Sequence, residues 1–263
     1  MNVEIKLYSI SEVSEVTGVN SVTLRAWQRR YGLLVPQRTP KGHRLYTDSD
    51  ITKIHEILTW LAKGVSIGKV KPLLEGTAEH HELNVEKIEM VDETIYLIEQ
   101  GKVQQIEKRV REALKLYPFI VLEEQFLKPI EQHITRSDNP LKTLQKSVWN
   151  SALTQCFITV LAKVNSDKNT PSLVLSYSSS DNHLVWQQAL KLAYEGYYAI
   201  VLSDLLGKIT GLSAFITEHD IKSVYIVGEN KLDNKQLADI EIIEKESNVQ
   251  VSFIGSIKMI HQQ

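Results

Sequence analysis

The stretch Thr23-Leu24-Arg25-Ala26-Trp27-Gln28-Arg29-Arg30-Tyr31 sets three arginines and two large aromatics within one short amphipathic helix. At about 100° per residue, Leu24, Trp27 and Tyr31 share a face suited to a core. Nearly opposite lie Val22, Arg25, Ala26 and Arg29. Small side chains let a helix sit deep in the major groove of duplex DNA and touch thymine methyls, and arginine pairs bidentately with guanine. Thr23 and Arg30 fall on the flank, the position for phosphate contacts. A solvated basic face on an ordinary helix would carry the same residues, so the neighbouring segments must decide.

Upstream, Ser9-Ile10-Ser11-Glu12 fits a capping box, and Ile10, Val13 and Val16 follow at helical spacing. Gly18 ends that helix, and Asn20 or Ser21 caps the next. Two short helices joined by a tight turn make a helix-turn-helix. Downstream, Pro36-Gln37-Arg38 and His43-Arg44-Leu45-Tyr46 flank the turn Thr39-Pro40-Lys41-Gly42. Alternation puts Leu45 on one side of a two-stranded wing and Arg44 and Tyr46 on the other. Arg38, His43, Arg44 and Tyr46 are therefore expected against phosphates or the minor-groove edge. Thr47-Asp48-Ser49-Asp50 opens a third helix, with a stripe of Ile51, Ile54, Leu58 and Leu61, and 66–74 reads as a fourth. The expectation is a winged helix-turn-helix domain over 1–76 that binds double-stranded DNA.

The runs Thr23-Leu24-Arg25-Ala26-Trp27, Arg29-Arg30-Tyr31-Gly32-Leu33-Leu34, Pro36, Arg38-Thr39 and Gly42-His43-Arg44-Leu45-Tyr46 closely resemble the DNA-binding domain of MerR-type transcription regulators. The likeness covers residues 8–75, with many motif positions matching in order and spacing. It points to the MlrA-like branch, which is related to the cobalamin-dependent photoreceptor repressors. The resemblance implies a homodimer on near-palindromic promoter DNA. It also implies an activator that works with RNA polymerase by distorting an overlong promoter spacer. In that branch the C-terminal region acts as a sensing or protein-docking module. Its partners are enzymes that make or degrade cyclic di-GMP, and the output is transcription of biofilm genes.

Charge supports a division of labour. The chain of 263 residues has a net charge of −2, but residues 1–75 hold 11 Lys/Arg against 7 Asp/Glu and the remainder 19 against 25. Nucleic acid is thus expected at the N-terminal part. Cys156, the single cysteine, lies in an apolar helical run and reads as a buried thiol in a reducing cytosol. No secretory signal and no apolar run approaching the ~20 residues of a membrane span is seen, so a cytoplasmic protein is expected.

The polar stretch 77–83 reads as a linker. Residues 84–165 read as all-helical, with helices at 84–100, 102–116, 119–134 and 141–164. Short connections suggest an antiparallel four-helix bundle. Pro129 should kink the third helix. In the fourth helix, Trp149, Leu153, Cys156, Val160 and Val164 form the expected core stripe. From residue 170 onward strand and helix alternate, with strands at 172–176, 198–202, 223–227 and 249–254. That order demands a parallel sheet with right-handed crossovers, a small doubly wound, flavodoxin-like α/β domain over 170–263. Ligands of such folds sit beyond the carboxyl ends of the strands, here 177–183, 203–204 and 228–230.

In the related photoreceptors the helical and α/β parts together bind cobalamin, through an acidic residue, a His two positions on and a Gly three further. Asp181 and His183 match that signature, but Trp186 stands where glycine makes room for the cofactor's nucleotide tail. The bundle lacks the family's Trp followed by Glu-His, and the helix closing the α/β domain is expected to be absent or very short. The expectation is a cobalamin-type fold without its cofactor; the alternative is a light-sensing repressor with His183 as cobalt ligand, oriented by Asp181.

Catalysis finds little support. His80-His81-Glu82 has no companion ligands at metal spacing. Ser178-Ser179-Ser180 lacks the G-x-S-x-G elbow, and neither a Walker loop nor G-x-G-x-x-G after a strand occurs. A scaffold that has lost DNA binding is disfavoured by the intact basic helix and wing.

Overall fold

In the computed structural model the described residues are 6–77, 90–176, 182–203, 205 and 208–261. Residues 78–83 of the expected linker, with His80-His81-Glu82, lie outside them, as do Ser178-Ser179-Ser180 and Asp181. The chain divides into two compact units, Met1–Ala152 and Leu153–Gln263.

The first unit begins with β1 (Tyr8–Ser9), which runs directly into α1 (Ile10–Thr17). The capping box is formed. Ser9 Oγ accepts the Glu12 N–H at 3.3 Å, and the Glu12 carboxylate accepts the Ser9 N–H at 2.7 Å. Gly18 ends the helix at φ 68°, a left-handed conformation that glycine adopts without a Cβ clash. Asn20 then caps α2 (Ser21–Ala26), its Oδ1 accepting the N–H groups of Val22 and Thr23 at 3.0 and 2.9 Å. A π-helical turn, Trp27–Tyr31, continues α2 and closes at Gly32. The regular α-helix expected through Tyr31 is therefore widened over its second half, which re-aims Arg29 and Arg30.

The wing has β2 (Gln37–Arg38) and β3 (Arg44–Tyr46), joined in a three-stranded antiparallel sheet of order β1-β3-β2. The two-stranded expectation missed β1, which pairs Tyr8 with Tyr46 and Ser9 with Leu45 and so satisfies the far edge of β3. Thr47 and Asp50 form a second capping box for α3 (Asp48–Ala62), and α4 (Ile67–Leu74) follows. Val13, Leu24, Trp27, Leu33, Leu34, Ile54, Ile57 and Leu61 form the core. Val16, expected inside, is exposed, while Thr17 takes the buried position.

Beyond the winged segment come α5 (Met90–Glu99), α6 (Val103–Leu116), α7 (Phe119–Leu122), α8 (Lys128–Ile134) and α9 (Lys142–Val164). The helix expected over 119–134 is broken by a π-helical turn, Glu123–Leu127, immediately before Lys128 and Pro129. Proline has no N–H to donate and its ring crowds the carbonyl one turn back, so the preceding turn opens. Phe126 in that turn meets Trp149 edge-to-face at 6.2 Å.

The second unit alternates β4 (Thr170–Ser176), α10 (Asn182–Tyr194), β5 (Tyr197–Leu202), α11 (Leu212–Glu218), β6 (Ser223–Val227), α12 (Asn234–Ser247) and β7 (Gln250–Ile254), then α13 (Ser256–His261). The sheet is parallel, of order β5-β4-β6-β7. Leu173, Leu175, Val224 and Ile226 pack with Leu212 and Ile216 of α11 and Ile240 and Ile243 of α12. Val174, between the two leucines, is buried on the opposite face. A strand covered on both faces reads as a continuous apolar run, as β4 does. The short α13 is pinned by buried Ile257 and by His261, whose Nε2 accepts the Leu232 N–H at 3.0 Å.

Candidate nucleic-acid interface

Asn20 fixes where α2 starts, and thereby which side chains face outward. Val22, Arg25 and Ala26 are half-exposed, and Arg29 and Arg30 are exposed. They border a shallow cavity of about 260 Å³.

The wing is tied to this helix. Arg44 Nε donates to Gln28 Oε1 at 2.6 Å. Arg38 lies directly across the hairpin from Arg44. Like charges opposite each other weaken a sheet, so the pair costs stability and concentrates positive charge. Burial holds the Arg44 guanidinium below the usual arginine range, and Arg38, Arg29 and Arg25 press it the same way against the opposing influence of Tyr46. Arg44 stays charged all the same. The four cations therefore share one field, to which an anion would be drawn. At the wing tip Gly42, at φ 83°, donates to the Thr39 carbonyl at 2.8 Å, and Thr39 Oγ1 accepts the His43 N–H at 3.0 Å. Arg38, Lys41 and His43 are exposed there.

Two expected phosphate contacts are placed differently. Thr23 and Tyr46 are both 0% exposed, and neither hydroxyl has a hydrogen-bond partner among the described residues. Tyr46 is buried, and Leu45, on the other face of β3, is only half-buried. Thr23 is buried, and α6 packs against α2. There the Trp27 indole N–H donates to the Leu116 carbonyl at 2.8 Å, and Arg30 Nη1 lies 3.6 Å from Glu112 Oε1. Arg109 holds the other Glu112 oxygen at 3.2 Å. The Arg30 pair is half-exposed, and such pairs are worth about 0–1 kcal/mol, so a phosphate could displace Glu112.

Sequence reasoning passed over Gln28, Glu112 and Leu116. The first had a legible signal, a polar side chain on the helix flank next to a wing of arginines. The other two had none, because nothing local encodes the docking of α6.

In the second unit His183 opens α10 and is 8% exposed, and Trp186 is half-buried one turn later. No group of three or more metal-ligating side chains occurs among the described residues, and no helix there is long and apolar enough to cross a membrane.

Two capped helices joined by a tight turn, with a cationic wing hydrogen-bonded to the second, define a winged helix-turn-helix DNA-binding domain. Residues 8–77 match the family described as MerR HTH family regulatory protein. The chain is 30% identical over 203 residues to the HTH-type transcriptional regulator MlrA of Escherichia coli (strain K12), covering 77% of this chain and 82% of that relative. It is 39% identical over 80 residues to the HTH-type transcriptional repressor CarH of Myxococcus xanthus, covering 30% of this chain and 27% of that one. A mercuric resistance operon regulatory protein of Bacillus cereus is 30% identical over 109 residues, 41% of this chain and 80% of the relative. The chain belongs to the MerR family of helix-turn-helix transcription regulators, in its MlrA-like branch.

Proposed function

We propose that this MerR-type DNA-binding regulator is a transcription activator, cytoplasmic and homodimeric, acting with RNA polymerase at promoters linked to biofilm formation and cyclic di-GMP. The observation that carries the DNA reading is the outward face of α2 together with the Gln28–Arg44 bond, which holds recognition helix and wing as one rigid grip. Arg25 and Arg29 read base edges, and Val22 and Ala26 permit close approach. Arg30, Arg38, His43 and Arg44 hold phosphates or the minor-groove edge. Thr23 and Tyr46 support the fold instead.

The second unit, in this reading, senses a signal or docks a protein such as a cyclic di-GMP-metabolising enzyme, and does so without cobalamin. Similarity to MlrA regulators over most of the chain supports this, because it extends well beyond the matched DNA-binding segment. Catalysis is no part of the proposal.

The test uses a duplex selected from a random pool and an unselected duplex of equal length. Arg25→Ala should cost ~1–3 kcal/mol on the selected site and relax preference, whereas Arg44→Ala should weaken both duplexes alike. If both variants bind both duplexes as wild type does, this face is not the DNA-binding face.

A further inference from the structure

Two elements stand beside α2. The wing stands on the Gln28 side, through Arg44. α6 stands on the other, where Trp27 meets Leu116 and Arg30 meets Glu112. Gln28 and Arg30, two positions apart in the π-helical turn, thus face different neighbours, the wing and α6.

A helix inserted in a major groove has a phosphate wall on each side. The wing cations Arg38 and Arg44 serve one wall. On the α6 side Thr23 is buried and Arg30 is shared with Glu112. Lys115, one residue from the end of α6, is exposed and borders the same cavity as Val22, Arg25, Ala26, Arg29 and Arg30.

We propose that Lys115 is a DNA-backbone contact, binding a phosphodiester on the groove wall opposite the wing, so that the helical segment after the winged domain forms part of the duplex interface. The nearby anion, Glu112, keeps Arg109 as a partner at 3.2 Å even when a phosphate takes Arg30, which limits its repulsion of the backbone. Lysine suits such a contact, because its ammonium is a point charge on a flexible stem and can follow a phosphate without a fixed angle. The inference rests on the DNA reading given above.

The experiment titrates the full-length protein, as wild type, Lys115→Ala and Lys115→Arg, with an unselected duplex at several salt concentrations. No target sequence is needed, since a phosphate contact is blind to sequence. The slope of log affinity against log salt should fall by about one in Lys115→Ala, so an approximately fourfold rise in salt weakens wild type about threefold more than the variant. Lys115→Arg should keep the wild-type slope. An unchanged slope in Lys115→Ala overturns the proposal, and so does a gain in affinity, which would mean that α6 obstructs the duplex. Wild type that binds no duplex at all would instead sink the DNA reading itself. Lys115 is exposed, so the variants should fold, and an unchanged thermal transition confirms it.

Discussion

The indole N–H of Trp27 donates to the backbone carbonyl of Leu116 at 2.8 Å, in a buried site and across 89 positions of sequence. The recognition helix is thereby bonded to a helix outside the winged segment. Trp27→Phe keeps an aromatic ring but leaves a void where the rest of the buried indole was and strands the Leu116 carbonyl. Leaving a buried acceptor unsatisfied costs about 1–3 kcal/mol. Chemical denaturation should show that loss, and a variant as stable as wild type would mean that the bond contributes nothing net.

Gln28 holds the Arg44 guanidinium through its Oε1, and in the proposed reading it positions the wing. Gln28→Ala should free the wing side chain and weaken binding to selected and unselected duplexes alike, by less than Arg44→Ala does. A change in sequence preference with no general loss would show that Gln28 reads a base rather than positioning the wing.

Burial pushes the Tyr194 hydroxyl up to about 12 from its ordinary value of 10.0. Between those values the unfolded chain has given up a proton that the folded chain retains, so stability is present below pH 10 and lost as pH rises toward 12. The full effect is roughly 2–3 kcal/mol. Unfolding followed from pH 9 to 12 should therefore show a steeper alkaline loss in wild type than in Tyr194→Phe. Equal slopes would mean that the hydroxyl reaches water.

By the resemblance to the cobalamin-binding photoreceptors, His183 matches their cobalt-ligating histidine and Trp186 their glycine. A titration with adenosylcobalamin in the dark should leave the visible spectrum of the mixture equal to the sum of its parts. A His-ligated, base-off spectrum that vanishes in His183→Ala would reverse that expectation and make the protein a cobalamin sensor.

Much of the DNA grip is readable before folding because its signals are local. Ser9 and Glu12, Asn20, and Thr47 with Asp50 mark helix starts by hydrogen bonds within one turn. The wing turn is marked by Gly42, which takes a left-handed φ. The C-terminal strands are apolar runs at regular spacing, and their parallel pairing follows from the helices between them. Reading failed where a side chain's fate depends on a distant surface. Alternation along β3 placed Leu45 on one side and Arg44 and Tyr46 on the other, but did not tell that the side carrying Tyr46 is the one buried. Pro129 announced a kink, but not that the preceding turn would open into a π-helix.

By itself the sequence determined the helix-turn-helix, its arginine face, its wing and the alternation behind the parallel sheet, because caps, turns and periodicity act over a few residues. Only the tertiary structure decided that Thr23 is buried, that Arg30 shares Glu112, and that Lys115 borders the cavity beside Arg25, Arg29 and Arg30. The last two follow from the packing of α6 against α2, a contact between residues some 90 positions apart. It is selected by the shape of two surfaces, which no local pattern records.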